Sequence, residues 1–137
     1  MDFDAALEPL LARDPRYPRE AYHFLREALD HTQSLLVRRG EKMPRHVKGQ
    51  ELLDGIRDYA LGQFGPMARM VLEEWGIRRC EDFGNLVFNL VDQTILSKTE
   101  QDRREDFQDG YDFTEAFSKP FLPQRRPAPS VGSAGAG

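Results

Sequence analysis

The sequence predicts a mainly α-helical domain with a C-terminal β-hairpin. Apolar residues recur at helical spacing along four stretches, and Gly and Pro punctuate those stretches. Near the C-terminus Phe107, Tyr111 and Phe113 share the parity of one strand face. A chain of 137 residues suits a single hydrophobic core. Residues 1–118 are expected to form that domain. Residues 119–137, rich in Pro, Gly and Ala without periodicity, are expected to be a disordered tail.

A short Ala/Leu helix leads the chain, and the prolines of Asp14-Pro15-Arg16-Tyr17-Pro18 end it and start a second helix near Pro18. That helix runs to about Val37, with Ala21, Phe24, Leu25, Ala28, Leu29, Thr32, Leu35 and Leu36 on one stripe. Gly40 to Pro44 breaks the pattern. The next helix, about Gly49 to Phe64, buries Leu52, Leu53, Ile56, Tyr59, Ala60 and Phe64, and Gly65-Pro66 stops it and begins another. That one, Pro66 to Trp75, ends at Gly76, a residue type suited to a left-handed terminator.

The following helix, about Glu81 to Thr94, carries Phe83, Leu86, Val87, Leu90 and Val91 on its apolar stripe, with Asn85, Asn89, Asp92 and Gln93 on its outer face. Ile95 to Thr99 and Phe107 to Phe113 are the expected hairpin arms, with Gly110 at a bulge. Helix, tight turn, helix and hairpin is the order of a winged helix-turn-helix module, its Glu81–Thr94 helix in the recognition position. An all-helical bundle would use the same apolar stripes.

Several motifs carry a family resemblance: Asp14-Pro15-Arg16-Tyr17 and Glu20-Ala21-Tyr22, then Gly49-Gln50-Glu51-Leu52-Leu53 and Phe64-Gly65-Pro66-Met67-Ala68. They continue with Trp75-Gly76-Ile77, Asp82-Phe83-Gly84, Val87-Phe88-Asn89-Leu90-Val91, Lys98-Thr99-Glu100 and Tyr111-Asp112-Phe113. On these the chain resembles a family of small bacterial conserved hypothetical proteins of planctomycete and verrucomicrobial type. The resemblance implies a shared fold and a bacterial cytoplasmic setting, and it carries over no functional residues.

The net charge of −4 argues against a protein-wide attraction to nucleic acid or to an anionic membrane. A single cysteine, Cys80, excludes an internal disulfide, and the acidic Met1-Asp2-Phe3-Asp4 start is unlike a secretory signal. No apolar run reaches the ~20 residues of a membrane span. A cytoplasmic setting is therefore expected, with no membrane and no cofactor.

Candidate chemistry is sparse. His23, Glu27 and His31, four residues apart, could present two imidazoles and a carboxylate to a metal, although a solvated helix face explains the spacing as well. Cys80 follows Arg78 and Arg79 near a helix N-terminus, where positive charge favours thiolate; a buried core cysteine is the plainer reading. Gly49, Gly55 and Gly62 suit close packing, and Gly55 and Gly62 would admit a neighbouring backbone, including a partner's.

The clearest polar feature is a basic loop carrying Arg38, Arg39, Lys42, Arg45 and Lys48 against Glu41. Together with Arg78 and Arg79 it could contact phosphates, while Asn85, Asn89 and Gln93 could read adenine edges. Against that stand a recognition helix without Lys or Arg and an acidic wing of Glu100, Asp102, Glu105, Asp106, Asp109 and Asp112. A basic end and an acidic end, Glu100 to Glu115, suit steering onto a protein partner or self-association. The expectation is a non-catalytic protein-interaction or regulatory module, with a nucleic-acid binder second and a small metalloenzyme third.

Overall fold

Asp2 opens the first helix, α1 (Phe3–Arg13), its carboxylate accepting the N–H groups of Asp4 and Ala5 that the first turn leaves without helical partners. Pro18 sits just before α2 (Arg19–Arg38), where its missing N–H costs nothing. The computed structural model describes residues 2–42, 46–96, 103–108 and 110–122. Arg45, the arm residues 97–99, the wing acids Glu100, Asp102 and Asp109, and tail residues 123–137 lie outside them.

Helix α3 (Gly49–Phe64) runs antiparallel to α2: Phe24 stacks on Phe64, Glu27 meets Tyr59, His31 meets Asp58, and Thr32 meets Gly55. The crossing is closest at Gly55, where an added Cβ would lie 1.7 Å from Thr32 Oγ1. Thr32 is buried and its hydroxyl donates to the Ala28 carbonyl at 2.7 Å, so it cannot swing away without losing that bond. The notch at Gly55 thus receives a side chain of this same chain. Gly62, seven residues on, faces open space.

A 3-10 turn, Gly65–Met67, leads into the short α4 (Ala68–Glu74). Gly76, at φ +80°, reverses the chain, and Ile77 N–H returns to the Leu72 carbonyl while Gly76 N–H returns to Glu73. Both Leu72 and Ile77 are fully buried, completing the hydrophobic contact of that terminator. A Cβ at Gly76 would also press on the Arg16 carbonyl at 2.8 Å, so the same glycine lets the Arg16–Tyr17 segment lie against the turn.

Helix α5 (Cys80–Asp92) is the centre of the molecule: Cys80, Phe83, Gly84, Leu86, Phe88, Asn89 and Leu90 are all buried, which encloses it on most sides. The C-terminal segment then folds back over α3 and α5 as a 3-10 turn (Arg104–Phe107), a single π-type turn (Thr114–Ser118) and a second 3-10 turn (Lys119–Phe121). Phe107 packs into a slot between Gly84 and Gly49, and Phe113 and Phe117 pack edge-on with centroids 4.9 Å apart.

The main α-helical class and its helix order are as the sequence predicts. The hairpin is not: no strand occurs among the described residues. Phe107, Tyr111 and Phe113 point inward because irregular turns hug the helices, and the Tyr111 hydroxyl donates to the Leu53 carbonyl at 2.9 Å where a strand partner would be. Among the described residues no helix is long and apolar enough to cross a membrane.

The two glycines of α3 give opposite expectations. Gly55→Ala overpacks the helix crossing and lowers stability by about 1–3 kcal/mol, whereas Gly62→Ala, in open space within a helix, raises it by about 0.5–1 kcal/mol. Chemical denaturation of both variants beside the wild type checks the pair.

Candidate functional site

Of the expected outer face of α5, Asp92 is exposed, Asn85 and Gln93 are half-buried, and Asn89 is interior. Asn89 is only 6% exposed, and its Nδ2 donates to Asp14 Oδ2 at 2.9 Å and to the Tyr22 hydroxyl at 3.0 Å. Asn85 Nδ2 donates to the Tyr17 hydroxyl at 3.0 Å, and Asn85 Oδ1 accepts from Arg104 at 3.1 Å. Gln93 Oε1 accepts a long bond from Arg13 at 3.5 Å. The amides expected to read adenine edges are therefore committed within the fold, because the Asp14–Tyr17 segment lies across this face.

Tyr17 is almost fully buried, and its hydroxyl donates to Asp82 Oδ1 at 2.5 Å. Asp82 Oδ2 accepts the backbone N–H groups of Arg78 and Arg79, at 2.9 and 3.3 Å, so one carboxylate both caps α5 and anchors Tyr17. Burial, and then the bond to Asp82, push the Tyr17 phenol up to about 12. Asp14 receives both arms of the Arg16 guanidinium, at 2.8 and 2.7 Å, which holds its carboxyl well below the usual carboxylate range. These ionisable groups are bonded to one another and to the backbone of neighbouring elements, and they hold the fold together.

His23, Glu27 and His31 are drawn apart. His23 Nε2 lies 2.7 Å from Asp4 Oδ1 in α1, His31 Nε2 lies 2.7 Å from Asp58 in α3, and Glu27 accepts the Tyr59 hydroxyl at 2.8 Å. Among the described residues no group of three or more His, Cys, Asp and Glu is placed to hold a metal ion. Cys80 is buried, and its thiol donates to the Tyr111 carbonyl at 3.4 Å. Burial pushes the thiol up to about 11, outweighing the hydrogen bonding to Tyr111.

Of the basic loop, Arg38, Arg39, Lys42 and Lys48 are exposed and form no ion pair among the described residues. Arg16, Arg19, Arg69, Arg79 and Lys119, by contrast, pair with carboxylates. Arg78 and Arg79 sit on a different element, the α4–α5 turn, whose Trp75 packs on Phe24 and Phe64 at the opposite end of the α2–α3 hairpin from Arg38 and Lys48. The six candidate basic residues that are described thus do not make one phosphate-binding patch. The acidic segment is not at the far end of the molecule either. Gln50 Nε2 donates to the Asp106 carbonyl at 2.6 Å, and Asp106 lies against Gly49, the neighbour of Lys48.

A second feature escaped the sequence: a 340 Å³ apolar cavity built from α1, α2, α3 and the end of α5. Its lining residues fall in four separate stretches of sequence; Leu25, Leu29 and Leu90 read there as helix core, Ile95 and Leu96 as a hairpin arm, and Arg26 as solvent face. Compared with known proteins, the chain matches no protein-family model, no curated protein and no solved structure.

The Asp14 carboxyl is lowered on folding, so the stability it contributes is present above the ordinary carboxyl value of about 4 and is lost as the pH falls below it. Asp14→Asn is expected to be less stable at neutral pH and to show a shallower acid limb below about pH 4, read as unfolding midpoint against pH. The Cys80 thiol, buried and mostly protonated at pH 8, should react with a disulfide reagent far more slowly in the folded chain than in denaturant. Comparable rates in the two states would show an accessible thiolate.

Proposed function

We propose that the protein is a non-catalytic interaction module of the cytoplasm that captures an acidic protein surface through its Arg38–Lys48 edge. The observation that carries this reading is the set of four exposed cations, Arg38, Arg39, Lys42 and Lys48, that pair with no carboxylate among the described residues. Cations already paired contribute little field beyond their partners, whereas unpaired ones on a single edge raise the encounter rate with an oppositely charged surface. The edge also lies on the α2–α3 connection, away from the core residues that hold the helices together, so a partner can be engaged there without reshaping the fold.

Protein rather than nucleic acid is favoured by one further feature. The amides Asn85 and Asn89 of α5, able to read bases, are bonded to Tyr17, Asp14 and Tyr22.

The test compares the wild type with a variant carrying Arg38→Glu, Arg39→Glu, Lys42→Glu and Lys48→Glu. Both are affinity-purified from native cells with and without nuclease, after circular dichroism has shown that both are folded. A stoichiometric protein that survives nuclease with the wild type, and falls at least tenfold with the variant, is the expected result. Equal capture by the variant removes the reading, and partners that vanish with nuclease replace it with nucleic-acid binding.

A further inference from the structure

The cavity opens between the start of α1, the middle of α2, the start of α3 and the end of α5. Leu25, Leu52 and Leu90, all nearly fully buried, form its floor. Phe3 stands on one wall, and Ile95 and Leu96 on another. The single charged lining residue is Arg26, exposed at the mouth, with its guanidinium carbon 4.8 Å from the centroid of the Phe3 ring. Arg26 forms neither an ion pair nor a hydrogen bond among the described residues.

The wall formed by Ile95 and Leu96 is set by the way α5 ends. Thr94 takes φ +56°, the left-handed conformation of a helix terminator, its N–H returning to the Val91 carbonyl at 2.9 Å, and the N–H groups of Ile95 and Leu96 both return to the Leu90 carbonyl, at 2.9 and 3.2 Å. This termination places Ile95 and Leu96 beside Leu90 in the cavity wall.

We propose that this cavity binds a small monoanionic amphiphile, a carboxylate bearing a short acyl chain or a single ring, with its apolar body on Leu25, Leu52 and Leu90 and its charge at Arg26. An unpaired guanidinium at the rim of an otherwise apolar cavity complements one carboxylate and one hydrophobic tail. The volume of 340 Å³ lies at the low end of the ~300–1,000 Å³ of small-molecule sites, which selects a short body over a long-chain lipid. The proposal rests on residues distinct from the Arg38–Lys48 edge, so either can fail alone.

Octanoate, kept below its micellar concentration, serves as the probe, titrated into the full chain while methyl resonances are followed by NMR. Saturable shifts at Leu25, Leu52, Leu90 and Ile95 are expected, with octanoate binding more tightly than hexanoate by roughly fourfold per added methylene. Arg26→Gln should weaken octanoate by about fivefold, the upper end for an exposed ion pair; Arg26→Lys should keep most of the affinity, and 1-octanol should not distinguish the three proteins. The charge-reversed loop variant should bind octanoate as the wild type does. Absence of saturable shifts overturns the proposal, whether the cavity is then covered by another part of the chain or by a second copy. Equal octanoate affinity in Arg26→Gln overturns the anionic assignment, and binding to phosphatidylglycerol vesicles without binding to octanoate assigns the surface to a membrane instead.

Discussion

The buried amide of Asn89 is the constraint around which this fold is arranged. A primary amide enclosed in the middle of a helix bundle costs roughly 1–3 kcal/mol if it is left without partners. Here Asp14 and Tyr22 supply them, one from the α1–α2 connection and one from α2. Satisfying Asn89 therefore requires the Asp14–Tyr17 segment to cross α5, and that crossing in turn places Tyr17 on Asp82 and the Arg16 carbonyl on Gly76. Each hydrogen bond adds only about 1 kcal/mol net, whereas a buried Phe or Leu adds about 1.5–3 kcal/mol. The buried apolar side chains, Phe83, Phe107 and Phe117 among them, accordingly supply most of the cohesion, and the polar set determines which arrangement of helices is adopted.

Close packing at glycine performs the complementary task. Thr32 fills the notch of Gly55, Phe107 fills the space above Gly84 and Gly49, and Cys80 fills that beside Gly110. Helix α3 touches α2 through one of these notches and the C-terminal segment through another. The described surface carries paired ions on several faces, the unpaired cations Arg38, Arg39, Lys42 and Lys48 along one edge, and an apolar cavity with a guanidinium at its mouth.

The helices were legible because a 3.6-residue period with Pro and Gly at the breaks is a local signal. Gly49–Phe64 matches its expected bounds, and α2 and α5 differ from theirs by one or two residues. The polar face of α5 was misread for a physical reason. Periodicity identifies solvent by polarity, and it cannot distinguish an Asn facing water from an Asn facing Asp14 and Tyr22 across the interior. The hairpin failed similarly, since inward-pointing aromatics at Phe107 and Phe113 arise from any segment that winds over a core, whether extended or in turns. Charge position along the chain also misled: the acidic stretch is distant from Lys48 in sequence but returns to Gly49 in space. Asp14, Tyr17, Tyr22, Asp82 and Asn89, far apart in the sequence, prove to be joined by hydrogen bonds that link the elements of the fold.

The slot between Gly49 and Gly84 has a bearing on how the chain matures. Helices α2 and α3 pair through contacts made early in the chain, whereas the slot is filled by Phe107, from a segment made later. Phe83 and Phe88 therefore gain their aromatic neighbours Phe113 and Phe107 only from the part of the chain that is made last, and a truncation before Phe107 would leave both rings without them.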